Sequence, residues 1–322
     1  KKTLLTICLV WMCFSLSAQK IIDLSGKWSF SIDRQDNGEK EKWFSHTLND
    51  FINLPGSMPE KLKGDEVTAK TQWTGSLYDS SYYYNPYMEK YRKEGNIKFP
   101  FFLTPDKHYV GAAWYQKEVN IPADWKGERI LLFRERPHIE TTVWVNGQKT
   151  GMQNSLCVPH QYDITRYVRP GKCTITIRVD NRIKEINVGP DSHSITDQTQ
   201  GNWNGIVGRI CLQTTPKTYF DDIQIYPEPE QKLARVKVVI KGTGTAKVKL
   251  SAESFNTDKK HIVPAIQQEI KLNKGVTETE MVLPMGNDML LWDEFHPALY
   301  KLKAEVTNGK KTEIKEIQFG MR

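Results

Sequence analysis

The segment Thr174-Ile175-Thr176-Ile177-Arg178-Val179-Asp180 alternates polar and apolar side chains residue by residue. That is the period of a strand with one wet face and one buried face. Val248-Lys249-Leu250-Ser251-Ala252 repeats the pattern, and Lys237-Val238-Val239-Ile240 follows it less strictly. Asn146-Gly147 follows Thr142-Val143-Trp144-Val145, and Asn308-Gly309 separates Leu302-Lys303-Ala304-Glu305-Val306 from Thr312-Glu313-Ile314-Lys315-Glu316-Ile317. Both dipeptides accept the positive φ angles of tight hairpin turns, so two hairpins are expected. No stretch sustains a helical period, although Tyr87 to Glu94 could form a short surface helix. Long parallel βαβ units are excluded, and the fold class is all-β.

A chain of 322 residues exceeds the usual reach of one hydrophobic core and suits two domains. A boundary is expected near Pro216-Lys217, where a strand ending in Ile210-Cys211-Leu212 gives way to Tyr219-Phe220-Asp221-Asp222-Ile223-Gln224-Ile225. Composition shifts there as well. Trp28, Trp43, Trp73, Trp114, Trp125, Trp144 and Trp203 precede it, and only Trp292 follows. An aromatic-rich sandwich and then a leaner one match a jelly-roll domain (galactose-binding-like) over 19–217 and an immunoglobulin-like β-sandwich over 218–322.

Residues 1–18 read as a signal peptide: Lys1 and Lys2 are basic, Leu4 to Leu16 is largely apolar, and Ser15-Leu16-Ser17-Ala18 offers a small-residue cleavage site after Ala18. The apolar run is too short to span a bilayer, so a secreted or periplasmic protein is expected. Cys13 raises lipoprotein anchoring, which the bulky Met12 before it disfavours. The formal charge of +7 falls to +5 without Lys1 and Lys2, and the basic residues alternate with acidic ones instead of clustering, so no nucleic-acid partner is expected. Cys157, Cys173 and Cys211 remain, without the close spacing of a zinc site; buried apolar thiols in strands are favoured over one disulfide.

Candidate chemistry concentrates in Asp191 to Arg209, which is polar, loop-like and aromatic in one place. Sugars need donors and acceptors for their hydroxyls and a ring for their C–H face. The segment, which holds Asp197, Asn202, Trp203 and Asn204, is therefore the candidate substrate-binding stretch; the alternative is a loop that only packs. Asp191, His193 and Asp197 permit a metal cluster by spacing, but exposed Asp and His are usually solvated, and no metal is expected. Tyr78, Tyr82, Tyr83, Tyr84, Tyr87 and Tyr91 sit in a long excursion from Lys61 to His108, where burying aromatic surface to pin the excursion is favoured over stacking on carbohydrate. No Gly-x-Ser-x-Gly elbow or phosphate-cradling glycine loop occurs, and no cofactor is expected.

Several landmarks occur together: Leu24-Ser25-Gly26-Lys27-Trp28-Ser29-Phe30, Leu54-Pro55-Gly56-Ser57, Ala113-Trp114-Tyr115-Gln116-Lys117-Glu118-Val119-Asn120-Ile121-Pro122 with Trp125, Val143-Trp144-Val145-Asn146-Gly147 with Gly151, and Tyr162-Asp163-Ile164-Thr165 with Gly171. In this order they resemble the sugar-binding domain of glycoside hydrolase family 2. Trp292, Pro297, Leu299, Tyr300 and the terminal Phe319-Gly320-Met321-Arg322 resemble the point where the family passes from its second sandwich into a catalytic barrel. The resemblance spans Asp23 to Arg322. It implies that the loop reaches toward the barrel's active site, with Asp197 or Asn202 placing a carboxylate or amide near the terminal sugar. Most landmarks have a structural explanation: Trp144 is expected in the jelly-roll core, Asp163 as the cap of a short helical turn, and Trp292 and Tyr300 at an exposed edge that the barrel would cover.

Retaining hydrolysis needs two carboxylates about 5 Å apart. The resemblance puts both in the barrel, and the Asn-Glu dipeptide that carries the family's acid and base is absent here. Asp293-Glu294 cannot substitute, because adjacent strand residues point to opposite faces. The chain alone is expected to be inert. Three readings follow: the amino-terminal portion of a family 2 β-glycosidase, β-galactosidase-like and acting on galactosidic or related linkages, whose partners are a β-linked glycan and a barrel domain; a free-standing carbohydrate-binding protein; or a structural or adhesion module.

Overall fold

A computed structural model describes residues 20–68, 70–74, 81–98, 104–184 and 201–322. The signal-peptide expectation for 1–18, and Asp191, His193 and Asp197, lie outside the described residues. The chain divides into two compact units, with described residues 20–214 in the first and 215–322 in the second.

The first unit carries β1 (Ile21–Asp23), β2 (Gly26–Asp33), β3 (Asp50–Leu54), β4 (Gly56–Ser57), β5 (Asp65–Glu66), β6 (Lys107–His108), β7 (Ala112–Ile121), β8 (Arg129–His138), β9 (Glu140–Val145), β10 (Gln148–Asn154), β11 (His160–Asp163), β12 (Gly171–Asp180) and β13 (Gly205–Thr215). One sheet runs β1-β13-β8-β11 with β4 added on β13, and the other runs β10-β9-β12-β7-β2-β3. Their facing sides form one core: Trp28 and Phe30 from β2, Tyr115 from β7, Leu132 from β8, Val143 from β9 and Ile177 from β12 are all buried in it. Strict alternation sends Thr176, Arg178 and Asp180 of β12 to the opposite face.

That opposite face is covered too. Trp114 and Trp144 leave the main core and form a separate cluster with Leu48, against which Trp43 and Phe44 pack from the β2–β3 connection. Phe44 lies flat on Trp144, with ring centroids 5.1 Å apart and planes 5° apart. Trp144 is buried in the core of this unit as expected, but in this second cluster and not in the one between the two sheets. Inward Val143 and Val145 flank it in β9, so alternation turns Trp144 outward onto this second apolar layer. The Trp114 indole donates to Asp33 Oδ2 at 2.9 Å, and the same oxygen accepts the Gly38 amide. A Cβ on Gly38 would lie 2.5 Å from the Trp114 Nε1, so a side chain there would force the layer apart.

The second unit carries β14 (Tyr219–Glu228), β15 (Leu233–Lys241), β16 (Gly244–Ser254), β17 (Ile262–Leu272), β18 (Val276–Pro284), β19 (Tyr300–Asn308) and β20 (Lys311–Phe319). They form sheets β14-β15-β18 and β17-β16-β19-β20, a seven-strand antiparallel sandwich. β15 is its clearest strand: Ala234, Val236, Val238 and Ile240 are completely buried, and the residues between them are partly open.

Both hairpins form. Asn146 and Gly147 take φ values of 49° and 76° between β9 and β10. In the second hairpin Asn308 pairs with Lys311, which moves the turn one residue onward so that Gly309, at φ 60°, takes its first central position. The helix expected over Tyr87 to Glu94 is instead a 3-10 segment at Pro86–Tyr91, started by the Asn85 side chain accepting the Tyr87 amide. Asp163 accepts the Thr165 amide at 3.1 Å and so closes a turn. Tyr300 is wholly buried against Phe319, which corrects its placement at an exposed edge, whereas Trp292 is half-buried under the Arg322 guanidinium. In the long excursion Tyr82 is buried and donates to the Tyr91 carbonyl, while Tyr83, Tyr84 and Tyr87 are exposed; Tyr78 lies outside the described residues. Cys173 and Cys211 are free and buried in strands, and Cys157 is free and exposed, the one departure from buried thiols.

Candidate functional site

Three of the four candidate residues, Asn202, Trp203 and Asn204, lie in the described stretch 201–204 that leads into β13; Asp197 lies outside the described residues. The stretch alternates like a strand. Both asparagines point into the protein, and the tryptophan between them stays partly open.

Asn204 is 1% exposed, and its amide is fully committed. Its Oδ1 accepts the Tyr115 hydroxyl at 2.7 Å, and its Nδ2 donates to the carbonyls of Gly111 and Val179, each at 2.9 Å. Its own carbonyl accepts the Met58 amide. Asn202 is 3% exposed: Nδ2 donates to Thr74 Oγ1 at 2.8 Å and to the Asn181 carbonyl at 3.0 Å, and Oδ1 accepts from Asn181 Nδ2. Asn181 completes the set by accepting the Gly111 amide and donating to the Tyr109 carbonyl. Buried amides need such partners, since an unmade bond costs the desolvation of the group. The three asparagines thus clasp the ends of β7, β12 and β13 together. At this corner the side-chain amides of Asn202 and Asn204 are bonded to protein partners.

What the clasp holds in place is Trp203. Its ring stacks on His138, with centroids 4.5 Å apart and planes 24° apart, and its carbonyl meets His138 Nδ1 at 2.7 Å. Burial pushes the His138 pKa down to about 4, outweighing the bond to Trp203. At neutral pH the ring is uncharged and Nδ1–H donates. Gly205 follows at φ 147°, where a Cβ would stand 2.5 Å from the Gly56 carbonyl oxygen, so the close approach of β4 to β13 requires glycine. On the Asn202 side, Thr74 is preceded by Trp73, whose ring packs 4.7 Å from His108. A second indole therefore stands one residue from the asparagine's partner.

Where β12 ends, Arg178 meets Asp36, Glu140 and Asp180, while Arg182 and Lys184 also reach Asp180. Burial works against the Asp180 charge, but hydrogen bonds from Arg182 and Lys184 prevail and hold its carboxyl well below the usual range. Asp36 is lowered as well: burial opposes its ionisation, and bonds from Arg182 and Arg178 outweigh it. A general acid needs the opposite shift from that of Asp36 and Asp180. Asp293 is spent within its own turn, accepting the amides of Phe295 and His296. Among the described residues, no three His, Cys, Asp or Glu side chains gather as metal ligands.

His138, Asn181 and Tyr115 were not singled out in the sequence. The available signal was Asn202-Trp203-Asn204 itself, because polar residues at both inward positions of an extended segment need buried partners.

Two antiparallel β-sandwiches follow one another along the chain. The model of the glycosyl hydrolases family 2 sugar binding domain matches residues 21–216, and a second glycosyl hydrolases family 2 model matches 218–322. The chain belongs to glycosyl hydrolase family 2 and corresponds to the amino-terminal portion of its members. Human β-glucuronidase is 24% identical over 319 residues, covering 88% of this chain and 41% of that protein. A Paenibacillus borealis β-glucuronidase is 24% identical over 94% of this chain and 46% of its own length. The β-galactosidase large subunit of Lactobacillus acidophilus is 22% identical over 93% of this chain and 46% of its own. The chain thus spans less than half the length of these relatives. Among solved structures, β-glucuronidase from Ruminococcus gnavus superposes with a TM-score of 0.61 at 18% identity, over 95% of this chain and 44% of that one. β-glucuronidase of an uncultured Clostridium species gives 0.60 at 21% identity, over 95% and 45%. Both share the fold.

Proposed function

We propose that this chain is the non-catalytic, sugar-recognising portion of a β-glycosidase that removes glucuronic acid-type or galactose-type sugars from β-linked glycans. The catalytic carboxylates belong in this reading to a barrel domain, and the stretch from Asp197 to Asn204 borders the terminal sugar. The observation that carries it is Trp203. Its partly open ring is fixed on both sides by buried amides and from beneath by His138, the arrangement expected of an indole that must meet a sugar's C–H face without loss of side-chain freedom on binding.

Export supports the same reading. Lys1 and Lys2, the apolar Leu4 to Leu16 and the small residues up to Ala18 favour a secreted or periplasmic protein meeting polymeric glycan. No helix among the described residues is long and apolar enough to cross a membrane.

The test is Trp203→Ala in the full-length protein, assayed on aryl β-glucuronide and aryl β-galactoside. A rise in KM of about tenfold, with thermal stability retained, is expected from the loss of one stacking contact worth about 1.4 kcal/mol. Unchanged KM on every β-glycoside that the parent cleaves would exclude the stretch from substrate binding.

A further inference from the structure

Arg134 stands near the end of β8 on the face that Ile130 and Leu132 give to the main core, and it is 0% exposed. Its neighbour across the sheet is His160 of β11. The guanidinium lies over the Tyr162 ring, 4.4 Å from the centroid, and none of its three nitrogens finds a hydrogen-bond acceptor among the described residues. Acceptors nearby are taken. The Thr141 carbonyl accepts the Tyr162 hydroxyl at 2.7 Å, the Ser155 carbonyl meets His160 Nε2 at 3.1 Å, and His160 Nδ1 meets the Thr141 hydroxyl at 2.7 Å.

Burial lowers the Arg134 pKa only to about 10, so the side chain is cationic at neutral pH. Burial, and then Arg134 itself, brings His160 down to about 4, so its ring is neutral and adds no counter-charge. The nearest carboxylate along the chain, Glu135, faces the other side of β8 and accepts the Arg209 amide. A full positive charge with five N–H donors thus sits in the interior with an aromatic face as its partner. Interiors do not leave such a charge uncompensated. A water molecule accepts at most two of those bonds, brings no charge and needs acceptors for its own protons. An acceptor-only anion meets all three requirements.

We propose that Arg134 holds a small monovalent anion, chloride in ordinary salt, between the two sheets of the first unit. Tyr162 forms one wall and His160 another, and the connection 155–159, with Leu156 and Val158 on the surface, lies next to His160 as the route of exchange. The site is independent of the sugar-binding reading. Its occupant completes the charge balance of the core.

Crystals of the full chain soaked in sodium bromide test this directly. The expected result is an anomalous peak beside the Arg134 guanidinium; water density there without anomalous signal overturns the proposal. In solution, raising chloride at constant ionic strength, with gluconate as the balancing anion, should raise the melting temperature by about 5 °C and then saturate. Arg134→Met, similar in size and uncharged, should abolish that response; an equal response in both proteins also overturns it. If the variant does not fold, the bromide map decides alone.

Discussion

Tyr115 and Asn204 join the two sheets of the first unit: the tyrosine, in the middle of β7, gives its hydroxyl to the side-chain oxygen of the residue just before β13. Asn204→Ala removes three buried side-chain hydrogen bonds at once and takes one donor from each of the Gly111 and Val179 carbonyls. A loss of about 3 kcal/mol is expected in denaturant unfolding, against about 1 kcal/mol for Tyr115→Phe. The double variant should lose less than the sum, since both changes break the same bond. Additive losses would show that the bond carries no coupling.

Acid should destabilise the first unit before its carboxylates titrate. His138 and His160 ionise near 4 in the folded chain and near 6.5 when unfolded. Between those values the unfolded state binds more protons, so stability is complete above about pH 6.5 and falls as pH drops toward 4. Each histidine contributes roughly 3 kcal/mol at most across that window. Replacing His138 with Phe should flatten the slope of unfolding free energy against pH between 6.5 and 4. An unchanged slope means that His138 is solvated.

The thiols should separate cleanly. Cys157 is exposed, while burial lifts Cys173 to about 11 and raises Cys211 as well. The thiolate is the reactive form, so a chain beginning at Gln19 should release one equivalent of thionitrobenzoate when native and three when unfolded. Three fast equivalents in the native state would contradict the burial of the two strand cysteines.

The 322-residue chain by itself should leave aryl β-glycosides uncleaved. Among the described residues Asp36, Asp180 and Glu140 converge on Arg178, Arg182 and Lys184, and the first two are held below the usual carboxylate range, the opposite of what the protonated acid of glycoside cleavage requires. Turnover above the buffer rate, surviving Asp36→Asn and Asp180→Asn, would locate a site elsewhere.

The strands were legible because alternation is the direct print of a one-sided sheet. β12 and β15 could be drawn from their residues alone, as could the turn at Asn146-Gly147. β9 resisted for a physical reason. All six of its residues are buried, so the wet-against-dry contrast that tells inside from outside is missing, and which apolar layer Trp144 enters could not be read. Asn202 and Asn204 were singled out as polar groups near an indole, which they are. Their partners lie 21 to 128 residues away, and no local pattern reveals whether an amide looks toward a ligand or toward its own backbone. Arg134 is the extreme case, since an arginine within a strand reads as the solvent side.

The aromatic blanket laid by Trp43 and Phe44 over Trp114 and Trp144 makes the β2–β3 connection a poor place for protein engineering. A tag or epitope grafted into 34–49 would uncover two indoles and wet the outer face of the six-strand sheet. Such fusions belong at the Gly309-Lys310 bend, where nothing lies within 4 Å of an added Cβ on the glycine and no second layer depends on the loop.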